Sequence, residues 1–287
     1  MKMALNLHYN FCFELTKPEK DNIIMEEMNY TKAFESFIWN FRLDFDPVGV
    51  KFIFDESVID TLPITHKSKA KLSYCQYLAA ARSAKHSLFL SPEKLQCKNA
   101  QPVFGFRSLE KDLDCKNHKK YLIDDDLSWR APQEKARLEE GKCKGIFMAP
   151  LNEFDNIDFE PDVVFFMVVP YQAYHILNDY MGAMHKPNLT FFATPNSAVC
   201  SGSIYSYVNN VPNMTTMCAG SKASGKTEMN YMNLFIPGGH ILNTASQLLK
   251  RIEITGGPSL LGAGGQPWPG LDVCSGCPMI KFTKVED

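Results

Sequence analysis

An α/β or α+β fold, with one main mixed sheet and helices on its flanks, follows from three features of the 287-residue sequence. Apolar runs of strand length alternate with segments of helical periodicity. The longest apolar run, Val163-Val164-Phe165-Phe166-Met167-Val168-Val169, suits a strand buried on both faces and is too short to span a bilayer. Glycine and proline then concentrate near the end of the chain, which marks an irregular Gly/Pro-rich tail rather than more core.

With 45% hydrophobic and 22% charged residues, the chain can bury a substantial core. A net charge of -2 leaves no electrostatic footprint for nucleic acid or for an anionic membrane surface. Residues 1–25 read as an N-terminal extension that lacks the unbroken apolar segment of a secretory leader, so the expected location is cytoplasmic. Residues 26–254 read as a single α/β domain, divisible into two similar lobes at 26–150 and 151–254, and residues 255–287 as the tail.

Tyr30, Phe34, Phe37, Ile38 and Phe41 recur at helical spacing within residues 26–42. Asp46-Pro47 ends that pattern, and residues 48–54 read as a strand. Leu72, Cys75, Leu78, Ala79 and Arg82 predict a helix over residues 71–84, followed by a short strand at 87–90 that Pro92 closes. Residues 107–145 are charged and locally helical, with Asp124-Asp125-Asp126 as a solvated loop or helix start. Residues 144–149 and 163–169 read as strands, and the Pro170-Tyr171-Gln172 turn leads into a helix over 173–184. Residues 189–193 and 204–208 read as strands around a loop bearing Cys200. Residues 231–236 read as a further strand and 240–252 as a helix.

Nine dispersed cysteines, an odd number, are no disulfide scaffold in a cytosolic chain and point to metal binding or thiol chemistry. Cys12, Cys115 and Cys143 read as small buried hydrophobes. Cys75 sits in the first turns of a helix, where the dipole favours thiolate, and Cys97, Cys200 and Cys218 sit in polar or small-residue loops. Four such thiols are the donor set of a closed iron–sulfur or zinc site. Cys274 and Cys277 form a second pair, half of a four-ligand site. The segment from Gly220 to Thr227 satisfies the phosphate-loop expression, but residues 211–217 before it are polar rather than a buried strand, so it reads as a flexible surface loop. A Cys–His nucleophile is the other thiol chemistry, with His175 or His240 brought beside Cys200.

An ordered series of residues carries a resemblance. It runs Phe45-Asp46-Pro47-Val48-Gly49-Val50-Lys51-Phe52, then Cys75-Gln76 with Ala81-Arg82, then Cys97. It continues with Pro161-Asp162-Val163-Val164, Pro170, Gln172-Ala173, Cys200, and Cys218 with Gly220. In this series the chain resembles the uncharacterised ArCR family (domain of unknown function 169) over roughly residues 35–240. That family usually continues with Arg after the last Cys-x-Gly, where this chain has Lys222, and the Cys274/Cys277 tail lies outside its pattern. The family occurs largely in archaea and anaerobic bacteria, and no settled activity accompanies it.

The resemblance and the residues together lead to one expectation. Cys75, Cys97, Cys200 and Cys218 hold an iron–sulfur cluster, with zinc as the alternative, in a cytoplasmic protein of anaerobic metabolism with a redox or cofactor-related role. Gln76, Arg82 and Gln172 would contact the cofactor or orient its ligands. The expected partner is a small molecule or an electron-transfer protein, and the sequence permits a homo-oligomer. Two alternatives come from other classes: a binding module for a small anion without metal, near Arg82, Gln172 and the Cys200 loop, and a Cys-dependent hydrolase or transferase.

Overall fold

A computed structural model describes residues 27–225 and 230–255. In chain order the elements are α1 (Tyr30–Phe41), β1 (Val48–Ile53), α2 (Tyr74–Ala84), β2 (Leu88–Leu90), α3 (Lys111–His118) and α4 (Asp125–Gln133). They continue with β3 (Gly145–Pro150), β4 (Val163–Val168), α5 (Pro170–Ala183), α6 (Ala198–Asn209), β5 (Asn213–Thr215), α7 (Ala219–Gly225), β6 (Met232–Pro237) and α8 (Ile241–Thr255). Short 3-10 turns follow β1, β2, β3 and β6. Among the described residues no helix is long and apolar enough to cross a membrane.

The strands form one six-stranded sheet in the order β2-β3-β1-β4-β6-β5. Every pairing in it is antiparallel, which corrects the expectation of a mixed sheet. Alternation of strands and helices leaves strand direction open; here α2 and α6 each return the chain to an edge strand antiparallel to its neighbour. β3 and β4 are buried along their whole length, as their unbroken apolar sequences require. Val50, Phe52, Val163, Phe165, Met167 and Phe235 face one core with Tyr74, Leu78, Val199 and Ile204 of α2 and α6. The alternate residues face the other way, where Phe166 meets Phe37 of α1 at 5.2 Å and Phe147 meets Phe154 at 6.0 Å between ring centres.

The two halves of the sheet repeat one another. Val48 lies opposite Pro150 as Val163 lies opposite Pro237, and Leu88 lies opposite Met148 as Asn213 lies opposite Phe235. The N–H of Leu151 donates to Pro47 O at 2.9 Å, and the N–H of Gly238 donates to Asp162 O at 2.9 Å, one residue beyond each pairing. Cys75 precedes β2 by the same interval as Cys200 precedes β5 (88 − 75 = 13 and 213 − 200 = 13). Helices α2 and α6 both end on a left-handed residue, Lys85 and Asn210. The halves meet at β1 and β4, where Val48 pairs with Phe165 and Val50 with Val163 about a central Gly49–Val164 pair.

Four segments differ from their sequence pattern. Residues 204–208 alternate like a strand but lie in α6, because small residues let that helix settle directly on the sheet. A Cβ on Gly202 would stand 2.7 Å from the Phe235 ring and 2.8 Å from Thr215. Residues 189–193 form no strand; the Asn213 side chain pairs with them instead, accepting from Phe192 N at 2.8 Å and donating to Phe192 O at 3.2 Å. Asn213–Thr215, read as loop, is an edge strand for the same reason. Ala219–Gly225 is a helix rather than a flexible loop, so the backbone that a phosphate would need is folded into helical turns, with Lys222 N donating to Cys218 O. The expected helix start at the acidic triplet is there: Asp124 accepts from Leu127 N at 2.8 Å and caps α4.

Asp162 joins the two halves. Its carboxylate accepts from Lys51 Nζ and from Phe52 N, both at 2.8 Å, and its backbone N–H donates to Val50 O at 2.8 Å. Asp162→Ala should lower the stability of the chain by about 2–3 kcal/mol, since it strands a half-buried ammonium and an amide. Urea unfolding measures this, and an unchanged midpoint would show that the junction of β1 and β4 does not depend on the carboxylate.

Candidate functional site

The site begins at the N-terminus of α2. Ser73 and Gln76 form a capping box: Ser73 N donates to Gln76 Oε1 at 2.9 Å and Gln76 N donates to Ser73 Oγ at 3.3 Å. This places Tyr74 and Cys75 in the first turn. Just before the cap, Leu72 N donates to Lys94 O and Gln96 N donates to Leu72 O, at 3.1 and 2.9 Å. That two-rung parallel bridge between Leu72 and Leu95 starts two segments side by side, one reaching Cys75 and the other Cys97. Ala100 N then donates to Cys97 O at 3.0 Å, and the backbone of Asn99 and Ala100 favours the Cys97 thiolate.

The second pair arrives from α6 and α7. Cys200 lies in the first turn of α6, not in a loop, and follows Ser197, which holds the left-handed conformation at φ 57° while buried. Asn99 ties this turn to the Cys97 turn: its amide donates to Asn196 Oδ1 at 3.3 Å, and its carbonyl accepts from Ser197 Oγ at 3.1 Å. Tyr74 and Ser203 share a buried hydrogen bond of 3.1 Å that links α2 to α6. Cys218 stands just ahead of α7, which packs on α2, and Ser221 of α7 favours the Cys75 thiolate.

The four thiols therefore share one patch. Burial, then the neighbouring Cys218, pushes Cys75 up to about 12. Burial, then Cys75, Cys97 and Cys218, pushes Cys200 well above the ordinary thiol value. Cys97 is raised by burial and by Cys218, against the two amides that favour its thiolate. Cys75 and Cys200 are buried, whereas Cys97 and Cys218 are partly open. Among the described residues, no group of three or more His, Cys, Asp and Glu is arranged to hold a metal ion.

Two buried cations flank the thiols. Arg82 of α2 lies 4.8 Å from the Phe45 ring centre; burial lowers its pKa, and Cys75 raises it. Lys135 is 5% exposed and donates to Asn196 O and His118 Nε2, both at 2.8 Å. His118 Nδ1 lies 2.7 Å from the backbone oxygen of Asp114, so this nitrogen carries the proton and Nε2 accepts from the ammonium. Burial lowers Lys135 to about 8, opposed by Cys200, Asp114, Cys218 and Cys97. Lys135, His118 and Asn196 carry no local signal, since Lys135 stands beside Glu134 in a charged stretch that reads as solvated.

Of the other expected contacts, Gln76 serves the cap of α2. Gln172 accepts from Val169 N at 3.0 Å and donates to the carbonyls of Phe41 and Arg42 at 3.2 and 3.1 Å, which fastens α5 to α1. His175 packs among Phe41, Tyr171 and Tyr174, and His240 meets Tyr180 at 3.2 Å. Cys143 is buried and donates to Gly145 O at 3.2 Å, while Cys115 is partly exposed. Cys12, Cys274, Cys277, Lys226 and Thr227 lie outside the described residues.

A protein-family model matches residues 38–247, most of the chain and all of the site. The chain belongs to the uncharacterised ArCR family (domain of unknown function 169). No curated protein and no solved structure matches it. The ArCR match spans both halves of the sheet, so it covers the four thiols, Arg82 and the α3–α4 hairpin that bears His118.

Asp114 anchors that hairpin through paired bonds of 2.8 and 2.9 Å from Arg107. Burial raises its carboxyl, but the bonds from Arg107 and from Glu110 N outweigh this and hold it below the ordinary value. A depressed carboxylate adds stability above about pH 3.9 that is lost as pH falls through the folded value. Asp114→Asn should therefore cost about 2 kcal/mol near neutrality, and its melting-temperature gap to the parent should close in acid. A gap unchanged at low pH would show that the pair does not hold the hairpin.

Proposed function

We propose that the chain is a cytoplasmic redox protein in which Cys75, Cys97, Cys200 and Cys218 together ligate one iron–sulfur cluster. The observation that carries this reading is the convergence of four thiols, two from each half of the sheet, on one patch flanked by Arg82 and Lys135. Four thiolates around a doubly positive core leave a net charge of about −2, which two buried cations balance. The Asn99 and Ala100 backbone favours the Cys97 thiolate, and Ser221 favours the Cys75 thiolate.

A bound cluster would supply one-electron chemistry. The residues of this chain exclude water from Cys75 and Cys200 and leave the Cys97–Cys218 side open to a small molecule or an electron-transfer partner. Zinc held by the same four cysteines is the alternative, and metal analysis of the purified chain distinguishes it from iron.

Arg82 and Lys135 also favour a second reading, a small-anion site in which the thiols only pack. One experiment separates the two. Reconstitution of the full chain with iron and sulfide under anaerobic conditions should give a coloured, iron-bearing protein. Cys75→Ala and Cys200→Ala should lose the colour and the iron, while Cys115→Ala and Cys143→Ala keep both. A parent chain that stays folded, colourless and iron-free after reconstitution would sink the cluster reading.

A further inference from the structure

The related helices α2 and α6 begin differently. A capping box closes the start of α2, where Ser73 and Gln76 satisfy one another's backbone N–H groups. At the start of α6 no side chain caps the helix. The backbone N–H groups of Ala198, Val199 and Cys200 donate to nothing among the described residues, although all three residues are buried. The first turn of any helix leaves such donors without carbonyl partners, and water serves them where the turn is exposed. Burial removes that supply, and an unpaired buried amide is costly.

Further donors stand at the same place. Asn196 is 6% exposed, and its Oδ1 accepts from Ser197 N at 2.8 Å, which folds the side-chain amide over the residue that opens the helix. Its Nδ2 is buried with no partner among the described residues. Lys135 Nζ donates to Asn196 O and to His118 Nε2, both at 2.8 Å, and no described residue takes its third N–H bond. Lys135 lies in residues 91–144, which join β2 to β3, whereas the shorter stretch 216–231 joins β5 to β6. The longer connection of the first half thus brings an ammonium to the helix start of the second. One acceptor accompanies these donors. Asn99 Oδ1 is buried and unpartnered among the described residues, on the amide that donates to Asn196 Oδ1.

We infer that the start of α6 is a binding site for hydrogen phosphate, held by the first-turn N–H groups, Asn196 Nδ2 and the Lys135 ammonium. The positive end of the helix and the ammonium both favour an anion, and a tetrahedral oxyanion accepts from several donors at once. Hydrogen phosphate also offers an O–H to Asn99 Oδ1, which sulfate lacks. The inference rests on the small-anion reading above, whose ligand class it names, and it does not require the thiols to hold iron.

Isothermal titration calorimetry of the iron-free full chain with inorganic phosphate, at an ionic strength fixed with sodium chloride, tests this. The parent should bind one phosphate per chain, with sulfate weaker by about tenfold or more. Asn196→Asp keeps the acceptor for Ser197 N but replaces the Nδ2 donor with negative charge. It should weaken phosphate by about tenfold or more, and so should Lys135→Met. Lys116→Ala, on the exposed side of α3, should bind as the parent does. A folded parent that binds no phosphate overturns the inference; if it binds acetate instead, the small-anion reading survives. Parent-like affinity in Asn196→Asp and Lys135→Met would also overturn it, and equal affinity for sulfate would overturn the choice of phosphate. Should both variants fail to fold, amide hydrogen exchange of the parent decides. Phosphate should slow exchange at Ala198, Val199 and Cys200, and unchanged exchange there would remove the site.

Discussion

One carboxylate makes the two half-sheets continuous. Asp162 enters β4 with its backbone bonded to β1 and to the turn after β6, and with its side chain on Lys51 and Phe52 N. Burial pushes its pKa up, while the Lys51 ammonium and the Phe52 amide pull it down. If β1 slipped by one residue against β4, every side chain of the slipped strand would exchange faces. Val50 and Phe52 would leave the core that backs α2 and α6, and the two helix starts would no longer meet. The site depends on register before it depends on any cysteine.

With the register set, the placement of the thiols follows from short-range devices. A capping box starts α2 at Ser73, a two-rung bridge runs Leu72 beside Leu95, and Asn99 clamps the turn after Cys97 to the start of α6. Gly202 lets α6 approach the sheet closely enough for Cys200 to join the same patch. The result concentrates groups that repel one another when ionised, which is why burial and mutual proximity hold Cys75 and Cys200 as thiols. Arg82 and Lys135 stand among these thiols, and burial that disfavours each cation is opposed by neighbouring cysteines.

Much of this was legible in the residues themselves. The strand at Val48, the long apolar strand at Val163 and the helix bearing Cys75 follow from period and punctuation, and the four cysteines stand out by their settings. Other features were hidden for definite reasons. The stretch from Ile204 to Val208 has strand-like alternation, yet the small residues around it decide for a helix pressed on the sheet. Asn213 looks like a loop residue because its side chain supplies the pairing that a strand at residues 189–193 would have supplied. Gln76 and Gln172 look like ligand-orienting amides but satisfy helix starts and a neighbouring carbonyl pair, a role that any polar residue three positions into a helix can take.

The sequence by itself determined the elements, the buried central strands and the identity of the thiols worth attention, because those depend on local periodicity and on residue chemistry. Only the tertiary structure decided that the sheet is antiparallel throughout and that its halves repeat. It alone brings thiols from distant segments together and places Lys135 beside them. These are long-range matters: strand direction, face and charge pairing are set by which segments meet, and a lysine in a charged run gives no sign of whether it will face water or a buried group of sulfurs.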